Sequence, residues 1–268
     1  MADKLTLRHI AKTFEVEGRR VPVLQPVFLG VAEGEFVTIV GPSGCGKSTL
    51  FNIVAGLLPP DPGGGLLVDG RPMATTLGRV AYMPQRDLLF PWRTVLDNAV
   101  IGLEIQGVPR REARRRALDV IGQFGLAEFA EYYPFALSGG MKQRVALLRT
   151  FLFDSDIMLL DEPFGALDAL TRSILQEWLA GVCGTYRRTI LFITHDVEEA
   201  IFLGDRVVVM TARPGAVKLE VPVGLERPRS PALVTSESFV ALKKQILDAI
   251  RDESLRSFAT QARVEEPE

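Results

Sequence analysis

Cysteine is almost missing from this chain of 268 residues, which holds only Cys45 and Cys183. Two thiols cannot build a disulfide framework, and one of them sits inside a glycine-rich loop, so the composition points to a reducing compartment. Long apolar runs are missing too. The best, such as Ile190-Leu191-Phe192-Ile193, are strand-sized, well short of the ~18–20 residues that cross a bilayer. The opening residues, MADKLTLRHI, include Asp3 and no apolar h-region, and no secretory leader is expected. Neither sign of charge dominates: 31 Lys and Arg face 33 Asp and Glu, a net charge of −2. That balance removes the electrostatic case for nucleic acid as a partner. No internal repeat or low-complexity segment is visible. What is there is apolar residue, 47% of the chain. It is enough for a substantial core in one large or two modest domains, with a surplus that favours a buried partner surface.

Short β runs are expected at residues 4–8, 27–31 and 35–40, separated by polar turns at Glu17-Gly18-Arg19-Arg20 and Ala32-Glu33-Gly34. A helix is expected from Ser48 to Leu57, then strands at 66–68 and 79–83 around the loop Pro59-Pro60-Asp61-Pro62-Gly63-Gly64-Gly65. From about Asp87 to Leu152 the pattern turns helical, with helices at 110–124 and from Ser138 onward. Strand and helix then alternate again through strands at 157–160, 189–194 and 206–210. Such alternation argues for a mainly parallel sheet covered by helices, with the helical stretch inserted into an α/β core. Beyond Pro222 the chain becomes polar and proline-rich, and 236–254 reads as a terminal amphipathic helix.

Gly41-Pro42-Ser43-Gly44-Cys45-Gly46-Lys47-Ser48 fills every fixed position of a phosphate-binding loop, with a strand before it and a helix after. Glycines there let successive N–H groups surround a pyrophosphate, and the helix start adds its positive dipole end. Lys47 then reaches the β- and γ-phosphates, and the Ser48 hydroxyl ligates Mg²⁺. The apolar strand Ile157-Met158-Leu159-Leu160 ends in Asp161-Glu162. Asp161 stands where a Mg²⁺-linked carboxylate belongs, and Glu162 where a group can orient or deprotonate an attacking water. His195 ends another apolar strand, on the sheet edge where open α/β proteins bind ligands, and is read as a γ-phosphate contact. His9 has no such context and is read as structural. Leu137-Ser138-Gly139-Gly140-Met141 opens a helix with a small exposed cap whose N–H groups face outward. That is an anion site without its own phosphate nearby, and it reads as a lid over nucleotide held by a second copy.

Taken in order, the phosphate loop, Gln85, Leu-Ser-Gly-Gly, Asp161-Glu162, Ala166-Leu167-Asp168 and His195 resemble the ATPase subunit of an ABC transporter across roughly residues 4–220. The resemblance implies a P-loop NTPase core of the RecA-like type with an N-terminal antiparallel β subdomain and an inserted α-helical subdomain. The cassette would span 1–225, with the helical subdomain at about 87–152 and a C-terminal helical extension over 226–268. It further implies that Glu162, His195 and Gln85 are catalytic. Phe14, Gly41, Pro42, Ser43, Gly44, Cys45, Gly46, Lys47, Ser48 and Thr49 would hold ATP, with Phe14 stacked on adenine. Ser138, Gly139, Gly140 and Asp168 would act across a head-to-tail homodimer, and Ser48, Gln85 and Asp161 would serve Mg²⁺.

The segment Pro91-Trp92-Arg93-Thr94-Val95-Leu96-Asp97-Asn98 and the run Asp161 to Asp168 resemble the nitrate, sulfonate and taurine branch of importers, which includes transporters of a thiamine precursor. The implied partners are an inner-membrane permease, received at Leu88, Leu89, Phe90 and Trp92, and indirectly an extracytoplasmic solute-binding protein. The implied location is peripheral, on the cytoplasmic face of that membrane. A soluble non-transport ABC ATPase and an exporter subunit are the alternatives; the short helical insertion and single cassette oppose the first, and the Pro-Trp-Arg-Thr segment opposes the second. The basic run Arg110, Arg111, Arg114, Arg115 and Arg116 is read as a solvated helix face. Cys45, at a helix start, is expected to have a lowered pKa.

Overall fold

A computed structural model describes residues 3–186 and 188–264, with side chains described for 3–181 and 188–255; Cys183 lies outside the described side chains. Strands β1 (Asp3–Val16) and β2 (Arg19–Ala32) form one long hairpin. Its turn is only Glu17-Gly18, both at positive φ (50° and 74°), the backbone that a tight two-residue hairpin requires. The two strands are therefore far longer than the short runs read from sequence. Their irregular registers interrupt the strict alternation by which a strand is recognised.

The central sheet is built from β3 (Phe36–Val40), which leads through the glycine loop into helix α1 (Lys47–Val54). Helix α1 stops three residues earlier than expected, where Gly56 takes φ 77°. Strands β4 (Gly65–Val68) and β5 (Arg71–Met73) extend the hairpin into a four-stranded antiparallel sheet of order β2-β1-β4-β5. Strand β6 (Ala81–Met83) covers only the end of the run expected at 79–83. Four helices follow: α2 (Val95–Ala99), α3 (Ile101–Ile105), α4 (Arg110–Ile121) and α5 (Gly139–Leu152). The chain then returns through β7 (Ile157–Asp161), α6 (Ala169–Tyr186), β8 (Thr189–Ile193), α7 (Val197–Leu203), β9 (Arg206–Met210) and β10 (Val217–Pro222). The C-terminal helix is α8 (Glu237–Val264), which runs past the expected end at 254.

The second sheet has order β10-β9-β3-β8-β7-β6, parallel except for β10. Its inner strands are buried on both faces, which explains their unbroken apolar sequence. Alternate residues feed two cores. Phe36, Val40, Met158, Leu160, Ile190 and Phe192 pack toward the inserted helices and α8. Val37, Ile39, Ile157, Leu159, Leu191 and Ile193 pack toward α1 and the antiparallel sheet. The mixed α/β architecture with an antiparallel subdomain agrees with the sequence reading. Among the described residues, no helix is long and apolar enough to cross a membrane.

Candidate active site

Backbone geometry builds the cradle first. Gly44 (φ 74°) and Gly46 (φ 105°) take left-handed conformations at the entry to α1. A Cβ at Gly46 would lie 2.7 Å from Leu24 Cδ2, so both conformation and space demand glycine. Lys47, 9% exposed, donates to the carbonyls of Gly41 (2.8 Å) and Pro42 (3.0 Å). These bonds hold its ammonium inside the loop, at the start of the α1 dipole.

A cavity of about 380 Å³ opens over this loop. Of the residues named from sequence, Gly41, Ser43, Gly44, Gly46, Lys47, Ser48, Thr49, Gln85, Glu162 and His195 line it, although Gln85 and His195 are far away in the chain. Val23 and Arg213 also line it; neither belongs to a motif, and no local signal marks them. Pro42 and Cys45 do not line the cavity. Phe14 lies in a separate recess with Thr13, Glu15, Arg20, Asp61 and Pro62, with the Lys12 ammonium 5.6 Å from its ring centre.

Glu162 is the hub. Its Oε2 accepts a hydrogen bond from Gln85 Nε2 (3.1 Å) and lies 3.5 Å from His195 Nδ1. The Glu162 backbone sits at φ 49°, a conformation that costs a non-glycine residue energy and survives only when neighbours enforce it. Two neighbours do. The Glu162 amide donates to Ile193 O (2.9 Å), and the buried Gln143 on α5 donates to Glu162 O (3.2 Å). Gln143 was not singled out from sequence, because a glutamine in an amphipathic helix carries no signal of its distant acceptor. Helix α5 also reaches the segment after Gln85. Arg149, near its other end, donates to the carbonyls of Asp87 and Leu88 (2.7 and 2.9 Å).

Asp161 is 1% exposed, and its Oδ1 has no hydrogen-bond partner. Burial pushes its carboxyl pKa upward, and the negative Glu162 adds to this; a Ser48 hydrogen bond and the Lys47 charge pull it back. A buried carboxylate oxygen left unpaired beside a hydroxyl is what a divalent cation would complete, so Asp161 and Ser48 fit Mg²⁺, and Gln85 lines the same cavity as Ser48. Cys45 corrects an expectation. It is 1% exposed, and burial raises its thiol pKa despite the nearby Lys47 charge. A helix start lowers a thiol's pKa only where the thiolate stays solvated.

The remaining motif residues stand apart from the cavity. Ser138 caps α5, its Oγ accepting from the Met141 amide (3.2 Å), and both Ser138 and Gly139 are exposed. Gly140 packs against Ala166 and Leu167, where a Cβ would be 3.3 Å from Ala166 O. Asp168 precedes α6 and accepts from the Thr171 amide (3.0 Å), a bond that lowers its pKa. In the segment after Gln85, Leu88 and Trp92 are exposed, Phe90 stacks on Trp92 at 5.3 Å, and Leu89 packs into the core. Asn98 fixes that segment from beneath, accepting from Phe90 N and donating to three carbonyls. The α4 arginines pair with acids, Arg114 with Asp97 and Glu131, and Arg115 and Arg116 with Glu112. This agrees with a solvated face.

Comparison with known proteins places this geometry. Residues 24–165 match the family described as ABC transporter. The chain is 46% identical over 257 residues to the uncharacterized ABC transporter ATP-binding protein MJ0412 of Methanocaldococcus jannaschii, covering 96% of this chain and 95% of that one. It is 42% identical over 248 residues to the taurine import ATP-binding protein TauB of Rhizobium johnstonii, covering 90% and 94%. Among solved structures, a dimeric post-hydrolysis state of the ATP-binding cassette MJ0796 bound to ADP and Pi superposes with TM-score 0.74. It shares 30% identity and covers 83% of this chain and all of the other.

Proposed function

The chain belongs to the ABC transporter family of ATPases, and we propose that it is the ATP-hydrolysing subunit of an importer, working as a head-to-tail dimer beneath a membrane permease. The observation that carries this reading is the convergence of Gln85 and His195 on one oxygen of Glu162 at the mouth of the Lys47 cavity. In this reading the loop amides and Lys47 bind the phosphates, and Glu162 polarises a water aligned with the γ-phosphate. Gln85 holds the Glu162 carboxylate in place, and His195, beside the same carboxylate oxygen, contacts the γ-phosphate. Ser48, Asp161 and Gln85 would hold Mg²⁺, which would supply charge neutralisation on the phosphate oxygens.

Ser138 and Gly139, both exposed, and Gly140 complete the site on a partner's nucleotide, while Asp168 and the exposed Leu170 and Ile174 face the dimer contact. The permease docks beside Leu88, Phe90 and Trp92. A neighbouring apolar groove of about 410 Å³, lined by Leu57, Leu77, Ile105 and Phe153, continues that surface. Leu89, packed inward, supports it. The chain sits on the cytoplasmic face of the membrane and touches no solute, which the permease and an extracytoplasmic binding protein select. The likeness to a taurine importer's subunit makes small sulfonates the first solutes to screen for uptake.

The test is Glu162→Gln with Mg²⁺ and ATP. Turnover is expected to fall by about 10²–10³ while size exclusion shows an ATP-stabilised dimer. A variant that stays monomeric at saturating ATP sinks the reading.

A further inference from the structure

We infer that Arg213 is an additional nucleotide-binding residue for the nucleoside half of ATP, and that the C-terminal helix α8 holds it there through Glu253. This rests on the ATP reading of the cavity and extends it to a residue outside every motif.

Residues 211–216 form a turn between β9 and β10 that is pressed onto the phosphate loop. Gly215 approaches so closely that a Cβ would stand 2.0 Å from Cys45 O, so only glycine fits. Gly215 also bridges to β2, its amide donating to Val23 O and its carbonyl accepting from Gln25 N, both at 2.9 Å. Arg213 Nε donates to Pro22 O (3.3 Å), and its side chain lines the cavity beside Val23. Val23 O in turn would be 3.1 Å from a Cβ at Gly46.

In a phosphate loop, Lys47 and Glu162 mark the γ end, and the amides entering the helix serve the α- and β-phosphates. Arg213 and Val23 meet the cavity on the hairpin side, beside Gly46. The remaining guanidinium donors are therefore assigned to the ribose, past the end of the phosphate chain, where they suit hydroxyl oxygens.

The turn is held from behind. Glu253 on α8 is 3% exposed. Its Oε2 accepts from Ala212 N (3.0 Å), next to Arg213, and its Oε1 lies 2.9 Å from Lys218 Nζ. Lys218 also donates to Ala249 O (3.0 Å). A buried carboxylate used this way fixes a turn because its loss leaves several polar groups unpaired. Glu253 is a positioning residue; Arg213 is the one that touches nucleotide.

The experiment measures ADP binding to the full chain by calorimetry, with inorganic tripolyphosphate as a competitor that lacks a nucleoside. Arg213→Ala is expected to weaken ADP about tenfold, the loss of one charge-assisted bond, and to change tripolyphosphate affinity less than twofold. Arg213→Lys should recover part of the loss. Glu253→Ala should weaken ADP by about threefold, and adding it to Arg213→Ala should cost nothing more; Glu253→Gln carries this arm if the alanine variant does not fold. Unchanged ADP affinity in Arg213→Ala overturns the inference, as does an equal loss of tripolyphosphate. Additive losses in the double variant overturn the role of Glu253. A wild-type chain that binds neither ligand overturns the ATP reading itself.

Discussion

Two helices of this chain begin with small residues, and they use their N-termini in opposite ways. At α1 the loop folds over the helix start, and Lys47 is drawn inside onto Gly41 and Pro42. Glu162, Gln85 and His195 close in from other strands and loops. At α5 the start is bare: Ser138 caps its own helix through Met141 N, and Ser138 and Gly139 are exposed. The same physical device, a positive helix end, lies inside a lined pocket in one place and outside that pocket in the other. In the proposed head-to-tail dimer, a second copy would bring the phosphate to this cap.

The largest effect should come from separating the two ends. Lys47→Ala is expected to abolish ADP binding by the isolated chain. Ser138→Arg should leave that binding within about twofold and yet lower ATP turnover by about 10²–10³. If Ser138→Arg weakened ADP binding by the monomer as Lys47→Ala does, the division between the pocketed and the bare helix end would be wrong. Met141→Gln refines the α5 side. Met141 contributes only its backbone amide to the cap, so ATPase activity should stay within about threefold of wild type.

Two smaller effects test the α1 side. Burial raises the pKa of Asp161 in the folded chain, so its contribution to stability is present at low pH, where it is protonated, and lost as pH rises through the raised value. Asp161→Asn should therefore raise the melting temperature of the Mg²⁺-free protein at pH 7 by roughly 2–4 °C, about 1 kcal/mol at this size. The gain should shrink toward pH 4, and calorimetry at the two pH values checks the sign. Cys45, buried with a raised thiol pKa, should alkylate slowly at pH 8 with or without ATP. Rapid labelling of the native chain would place the thiol in a different environment.

The α/β architecture and the loop between β3 and α1 were legible because their signals are local. A run such as Phe36 to Val40 can only be a strand buried on both faces, and the glycines after it need backbone freedom. Other features depend on contacts between distant segments. Gln143 holds Glu162 O from another element, and Arg213 reaches the cavity because Gly215 lets its turn press on Cys45 O. Composition and spacing carry no trace of such meetings. The error over Cys45 has the same origin: position at a helix start is visible in sequence, whereas desolvation is a property of packing.

Helix α5 spans about 20 Å at the usual rise per residue, and side-chain bonds tie it to Glu162 and to the segment after Gln85. Ser138 stands at its exposed head, Gln143 grips the carbonyl of Glu162, and Arg149 grips Asp87 and Leu88 in the proposed docking segment. A rod fastened in this way has few independent movements. In the proposed docking, a push on the segment beside Trp92 would pass through Arg149 and α5 to Gln143 and the backbone of Glu162. On the proposed docking, the contact with a permease and the chemistry at Glu162 would be joined through this one helix.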